Sequence, residues 1–176
     1  LSSAVLPWLS TLAALVLGFG LYLALIASPP DYQQGETVRI MYVHVPSAWL
    51  AMMAYSIMAI ASATAIIFRH PLADVAAKAA APIGAVFCFL ALATGSIWGK
   101  PMWGTWWEWG DARITSVLIM FFVYLAYIAI WQAMETPQKA ARAAAILCLV
   151  GAINLPIIHY SVEWWNTLHQ SATFFT

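Results

Sequence analysis

Five apolar runs separated by short polar stretches set the pattern of this chain. They cover residues 4–28, 41–68, 79–98, 116–134 and 143–158. A helix needs roughly 20 apolar residues to cross the hydrocarbon core of a bilayer, so each run predicts a spanning helix. Pro29 and Pro30 end the first, because proline has no N–H and clashes with the preceding turn. The fifth run is short, which predicts that its helix begins earlier, in the stretch around Lys139. No internal repeat, low-complexity tract or soluble domain interrupts the pattern. The expected fold is an all-α, multi-spanning integral membrane bundle, a single domain over residues 1–176.

Composition makes the same case independently. Charged residues are 8% of the chain, hydrophobic residues 64%, and mean hydropathy is +0.83. Soluble domains carry about a quarter charged residues. A formal net charge of zero gives no electrostatic reason to expect nucleic acid. Cys88 and Cys148 lie inside apolar runs without metal-site or disulfide spacing, and are expected to be buried small hydrophobes. The first run is too long for a cleavable signal core and has no basic leader. A start at Leu1 rather than Met, and an end at Thr176 soon after a polar stretch, read as those of a piece of a longer protein.

Charge in the short loops sets the orientation. Loop 2–3 holds Arg69 and Lys78 and loop 4–5 holds Lys139 and Arg142, against the acids Asp74 and Glu135. The other side holds Arg39, Lys100 and Arg113 against Asp31, Glu36, Glu108, Asp111 and Glu163. Basic loops stay in the cytoplasm. The acidic side therefore faces outward, toward the periplasm in a bacterium, and Leu1 is cytoplasmic. Residues 29–44, 98–116 and 159–176 then share the outer face. That face carries His44, His159 and His169 and seven of the ten tryptophans, while His70 is expected as a solvated turn residue on the basic side.

Five of those tryptophans fall within residues 98–109, too dense for an ordinary interfacial belt of indoles. Flat rings at that density suit a large flat ligand. A haem iron takes two axial ligands on opposite porphyrin faces, and neutral imidazole is a common choice. Arg113, Lys100 and Arg39 are candidates for pairing with the propionates. Zinc held by three histidines is a weaker reading, because nothing spaces them on one helix face and zinc needs no tryptophans. A helical tryptophan run would put Trp103, Trp106 and Trp107 on one face, with Gly110 returning to it and Asp111 turned about 100° away. Asp111 could then bond indole N–H groups, pair with Arg113 or cap the next helix, with Thr115 and Ser116 also at hand.

The run WGTWWEWGD over residues 103–111 resembles the tryptophan-rich WWD signature of haem-handling proteins. Together with PDYQQG, the HVP that begins at His44, GKPMWGTWW, DARITS and NLPIIHYSVEWWNTLHQ, it makes residues 31–172 resemble the CcmC family of cytochrome c maturation. The resemblance implies six membrane helices, so a sixth is expected beyond these five. It implies haem b held on the periplasmic face of the inner membrane by two axial histidines, at the positions of His44 and His169, with His159 the competing ligand. Trp103, Trp106, Trp107, Trp109, Asp111 and Arg113 complete the implied site. The implied partners are the haem chaperone CcmE, the small protein CcmD and the CcmA–CcmB ABC transporter. The implied activity is haem delivery rather than an enzymatic reaction, with a haem transporter subunit or a WWD-type haem lyase as the alternatives. The common family form runs Trp directly into Asp, and here Gly110 intervenes.

Overall fold

The computed structural model describes residues 2–169. Helix α1 (Ser2–Tyr22) runs into a π-helical turn (Leu23–Ala27), followed by α2 (Val38–Phe68), α3 (Pro71–Trp103), α4 (Ala112–Ala133), α5 (Pro137–Gly151) and α6 (Asn154–Trp164). Among the described residues, five segments are long and apolar enough to cross a membrane: Ser3–Ala27, Val38–Phe68, Pro71–Trp103, Ala112–Ala133 and Pro137–Trp164. The five expected spans are thus present, and the last does begin near Lys139. Pro137 occupies its first turn, where a missing N–H costs nothing.

The helices are longer than the apolar runs that reveal them. Arg69 ends α2 in the left-handed region at φ 52°, and Pro71 starts α3 two residues later. Loop 2–3 is therefore only Arg69 and His70, and Lys78 lies within α3 rather than in the loop. His70 is exposed, as expected. The fifth span is broken between α5 and α6. Pro156, in the first turn of α6, has no N–H to return to the preceding turn.

Small residues let the helices approach closely, and tyrosines brace them. The Tyr55 hydroxyl donates to the Cys148 carbonyl at 3.0 Å and packs where a side chain at Gly151 would stand. The Tyr124 hydroxyl donates to the Ala51 carbonyl at 2.7 Å and fills the space beside Gly84. The two rings meet edge to face at 5.2 Å. Cys88 and Cys148 are fully buried in this core, as the sequence suggests. By contrast, none of the apolar window of α1 is buried.

Helices α3 and α4 are antiparallel. Lys78 meets Trp131, Gly84 meets Tyr124 and Cys88 meets Val117. That register sets the start of α4 opposite Gly95. The last two turns of α3 therefore project ~12 Å past it, at 1.5 Å per residue.

Candidate functional site

Hydrogen bonds join three distant segments at the projecting end of α3. The first is a tight turn at residues 31–35. The Asp31 carboxylate accepts from the Gln33 and Gln34 amides at 2.9 and 2.8 Å, and these bonds hold its pKa below the usual carboxylate range. The turn brings Gln34 to α3, where its Oε1 accepts from Trp98 Nε1 at 2.9 Å. Arg39 is held by Glu36 at 2.6 Å and by the carbonyls of Leu25 and Ile26.

His44 lies in the second turn of α2. Its Nδ1 is 2.9 Å from the Ala91 carbonyl and 3.2 Å from Thr94 Oγ1. A carbonyl can only accept, so Nδ1 carries the proton and Nε2 keeps its lone pair. The ring rests on Gly95, where an added Cβ would come within 2.8 Å of Cε1. Glycine at 95 is what allows the imidazole to reach α3.

The tryptophan run is not helical beyond Trp103. Gly104 turns left-handed at φ 79°, its amide closing on the Lys100 carbonyl at 3.1 Å while Lys100 Nζ donates to the Gly104 carbonyl at 3.0 Å. Thr105 Oγ1 then donates to the Trp107 carbonyl at 2.8 Å, a local bond that competes with helix. The expected common face of Trp103, Trp106 and Trp107 is therefore absent. Trp103 packs inward, edge-on to Trp98 at 5.0 Å and to His169 at 4.9 Å. Trp106 and Trp109 are exposed. Trp107 leans on Trp109 at 5.5 Å and buries an indole N–H that makes no hydrogen bond among the described residues.

Gly110 is absorbed by a turn, without a left-handed backbone. Its amide donates to Glu108 Oε1 at 3.1 Å, and the Asp111 amide to the Glu108 carbonyl at 3.2 Å. Asp111, 2% exposed, is the N-cap of α4. Its Oδ1 accepts from the amides of Arg113 and Ile114 at 2.9 and 3.0 Å. Its Oδ2 accepts from the Leu168 amide at 2.8 Å and lies 3.5 Å from His169 Nδ1. Of the roles open to Asp111, capping is the one realised, and a carboxylate facing His169 is added to it. Thr115 donates to the Trp109 carbonyl at 3.0 Å instead of capping.

Arg113 ties α4 to α6: Nε donates to Ser161 Oγ at 3.0 Å and a terminal nitrogen to the His159 carbonyl at 3.1 Å. The His159 ring itself is exposed and packs edge-on to Tyr160 at 4.7 Å. Among the described residues, no three His, Cys, Asp or Glu side chains gather as metal ligands. His169 is the last described residue. Burial pushes its imidazole down to about 4, against the pull of the Asp111 carboxylate, while Arg113 and His44 add to the depression. Each histidine thus lies within electrostatic reach of the other. Among the described residues, the buried His169 Nδ1 has the Asp111 carboxylate at 3.5 Å as its polar neighbour.

The structure brings His169, Trp103, Asp111 and Arg113 into one connected group, with His44 held on α3 within electrostatic reach of His169, Trp106 and Trp109 exposed and His159 off the group. Gln34, Gly95 and Ser161 belong to the group and carry no sequence signal of their own, since each acts through a partner more than 40 residues away.

The family model for heme exporter protein C matches residues 1–176. The chain is 63% identical over 173 residues to heme exporter protein C of Bradyrhizobium diazoefficiens, covering 98% of this chain and 65% of that protein. It is 53% identical over 168 residues to the Escherichia coli K12 protein of the same name, covering 96% and 68%. With the Paracoccus denitrificans protein of that name it shares 48% over 173 residues, covering 98% and 71%. The chain spans about two thirds of the length of these relatives.

Proposed function

The chain belongs to the heme exporter protein C family, and on that premise we propose that it binds haem b between His44 and His169 and delivers it onward. The site lies on the periplasmic face of a bacterial inner membrane, and the recipient is a CcmE-type haem chaperone in c-type cytochrome maturation. CcmD and the CcmA–CcmB transporter are the proposed assembly partners. Haem is cargo here rather than a resident cofactor, and the chain delivers it without catalysing a reaction.

One observation carries this reading. Two imidazoles from segments 125 positions apart stand within electrostatic reach at one end of the bundle, each with Nδ1 turned to protein and Nε2 without a hydrogen bond among the described residues. Metal-ligating histidines are oriented in this way, with the second ring nitrogen directed at a carbonyl or carboxylate. Both Nε2 lone pairs are then free for the two axial positions of one iron. Trp103 and Trp98 offer an apolar wall beside His169. Lys100, exposed at the end of α3 and bonded to the Gly104 carbonyl alone, is the cation best placed to meet a propionate, because Arg39 and Arg113 each bond two or more groups of the protein.

Detergent-purified protein loaded with haem should give a low-spin, bis-histidine visible spectrum. His44→Ala and His169→Ala should each lower bound haem about tenfold or more, the loss of one coordinate bond being worth well over 1.4 kcal/mol. Wild-type spectra in both variants would exclude the assignment.

A further inference from the structure

At the opposite end of the bundle, α3 and α4 leave a cavity of about 150 Å³ lined by Lys78, Ala81, Tyr127, Ile128, Trp131 and Gln132. Two of its donors, the Tyr127 hydroxyl and the Lys78 ammonium, meet no acceptor among the described residues. Trp131 Nε1 is buried and turned toward the Tyr127 oxygen, which leaves the phenol's own hydrogen free to donate. The Tyr127 side chain is 2% exposed. The Tyr55 and Tyr124 hydroxyls reach backbone carbonyls, whereas the Tyr127 hydroxyl donates to none among the described residues. The Lys78 ammonium stands 4.3 Å over the Trp131 ring. It forms no ion pair among the described residues, although Asp74 lies one turn away on the same helix. Natural proteins rarely bury a donor unpaired, and each instance calls for an acceptor.

An ammonium, an indole N–H, a phenol and a carboxamide converge here, and no carboxylate lines the cavity. That set suits an acceptor-only anion such as a phosphate oxygen cluster. The volume is well below the ~300–1,000 Å³ of pockets that enclose a whole organic ligand, so the guest is a small polar group. The position supplies the rest. Trp131 and Gln132 lie in the last turn of α4, while Ala81 and Ile128 line the side nearer mid-span. Polar rim and apolar floor reproduce the boundary between headgroups and acyl chains. Arg69, Lys139 and Arg142 at the same end raise the local positive potential.

We propose that this cavity holds the phosphodiester of a membrane phospholipid, in the leaflet away from the histidines. The phosphate accepts from Tyr127 and Lys78, and the acyl chains lie along the exposed apolar surface of α3 and α4. The full chain can be tested by native mass spectrometry after titration with phosphatidylglycerol, with diacylglycerol as the headgroup-free control. The phospholipid should be retained at least about fivefold over diacylglycerol, and millimolar inorganic phosphate should not displace it. The variant Tyr127→Phe removes the unpaired phenol hydroxyl, and Lys78→Gln, on an exposed side chain, removes the charge without disturbing the core. Each should lower retention several-fold. Equal retention of diacylglycerol, displacement by free phosphate, or wild-type retention in Lys78→Gln would overturn the proposal.

Discussion

Asp111 works at two places with one carboxylate. Oδ1 closes the first turn of α4, and Oδ2 holds the Leu168 amide and faces His169. The two functions separate by substitution. Asp111→Ala removes both, costing about 1 kcal/mol for the cap and roughly 1–3 kcal/mol for the amide left unpaired. Asp111→Asn can keep an oxygen on the cap, but then turns an NH2 toward the Leu168 N–H. Thermal melts should therefore rank Ala below Asn below wild type, while Leu168 amide protection should fall in both; protection unchanged in Asn would disprove the double role. Acid should loosen the same contact. His169 is neutral when docked, with a pKa of about 4, and titrates near 6.5 when released. Its docking is thus complete above about pH 6.5 and is lost as pH falls toward 4. Hydrogen exchange at Leu168 in haem-free protein, corrected for intrinsic rates, should show protection declining over that window. A flat profile would show that the ring does not titrate between docked and free states.

At the level of the helices, glycine marks contact by what it excludes. A methyl at Gly84 would meet the Tyr124 hydroxyl head-on and push it from the Ala51 carbonyl, whereas a methyl at Gly18 on α1 meets nothing within 4 Å. Gly84→Ala should destabilise the bundle by about 2–3 kcal/mol through overpacking and a lost hydrogen bond. Gly18→Ala should be neutral or slightly stabilising, since alanine favours helix by up to about 1 kcal/mol. Melting curves in one detergent decide this, and equal shifts would mean that the α3–α4 seam is looser than described. Such contrasts were not legible in the sequence, where both glycines sit in equally apolar runs. The spans themselves were legible, because length and hydropathy are local sums. The end of α3 was not: the tryptophan spacing fits a helix, and the left-handed turn at Gly104 overrides it.

For the molecule as a whole, sequence reasoning placed the right segments on one face but could not join them. Loop charge put residues 29–44, 98–116 and 159–176 together, and the structure links all three. The links run through Gln34, Ser161 and the Leu168 amide, whose partners are set by three-dimensional reach rather than by any local pattern. The motif favoured His169 over His159, and the geometry separates them further: one ring faces Asp111 and Trp103, the other is exposed. The projection of α3 past the start of α4 has a kinetic meaning. His44 and Gly95 stand at its foot and Trp103 at its top, so it forms a wall that rises past the start of α4. A flat amphiphile that partitions into the headgroup layer meets such a wall while diffusing in a plane. Its search is then two-dimensional, and the encounter rate is set by surface concentration rather than by the bulk aqueous phase.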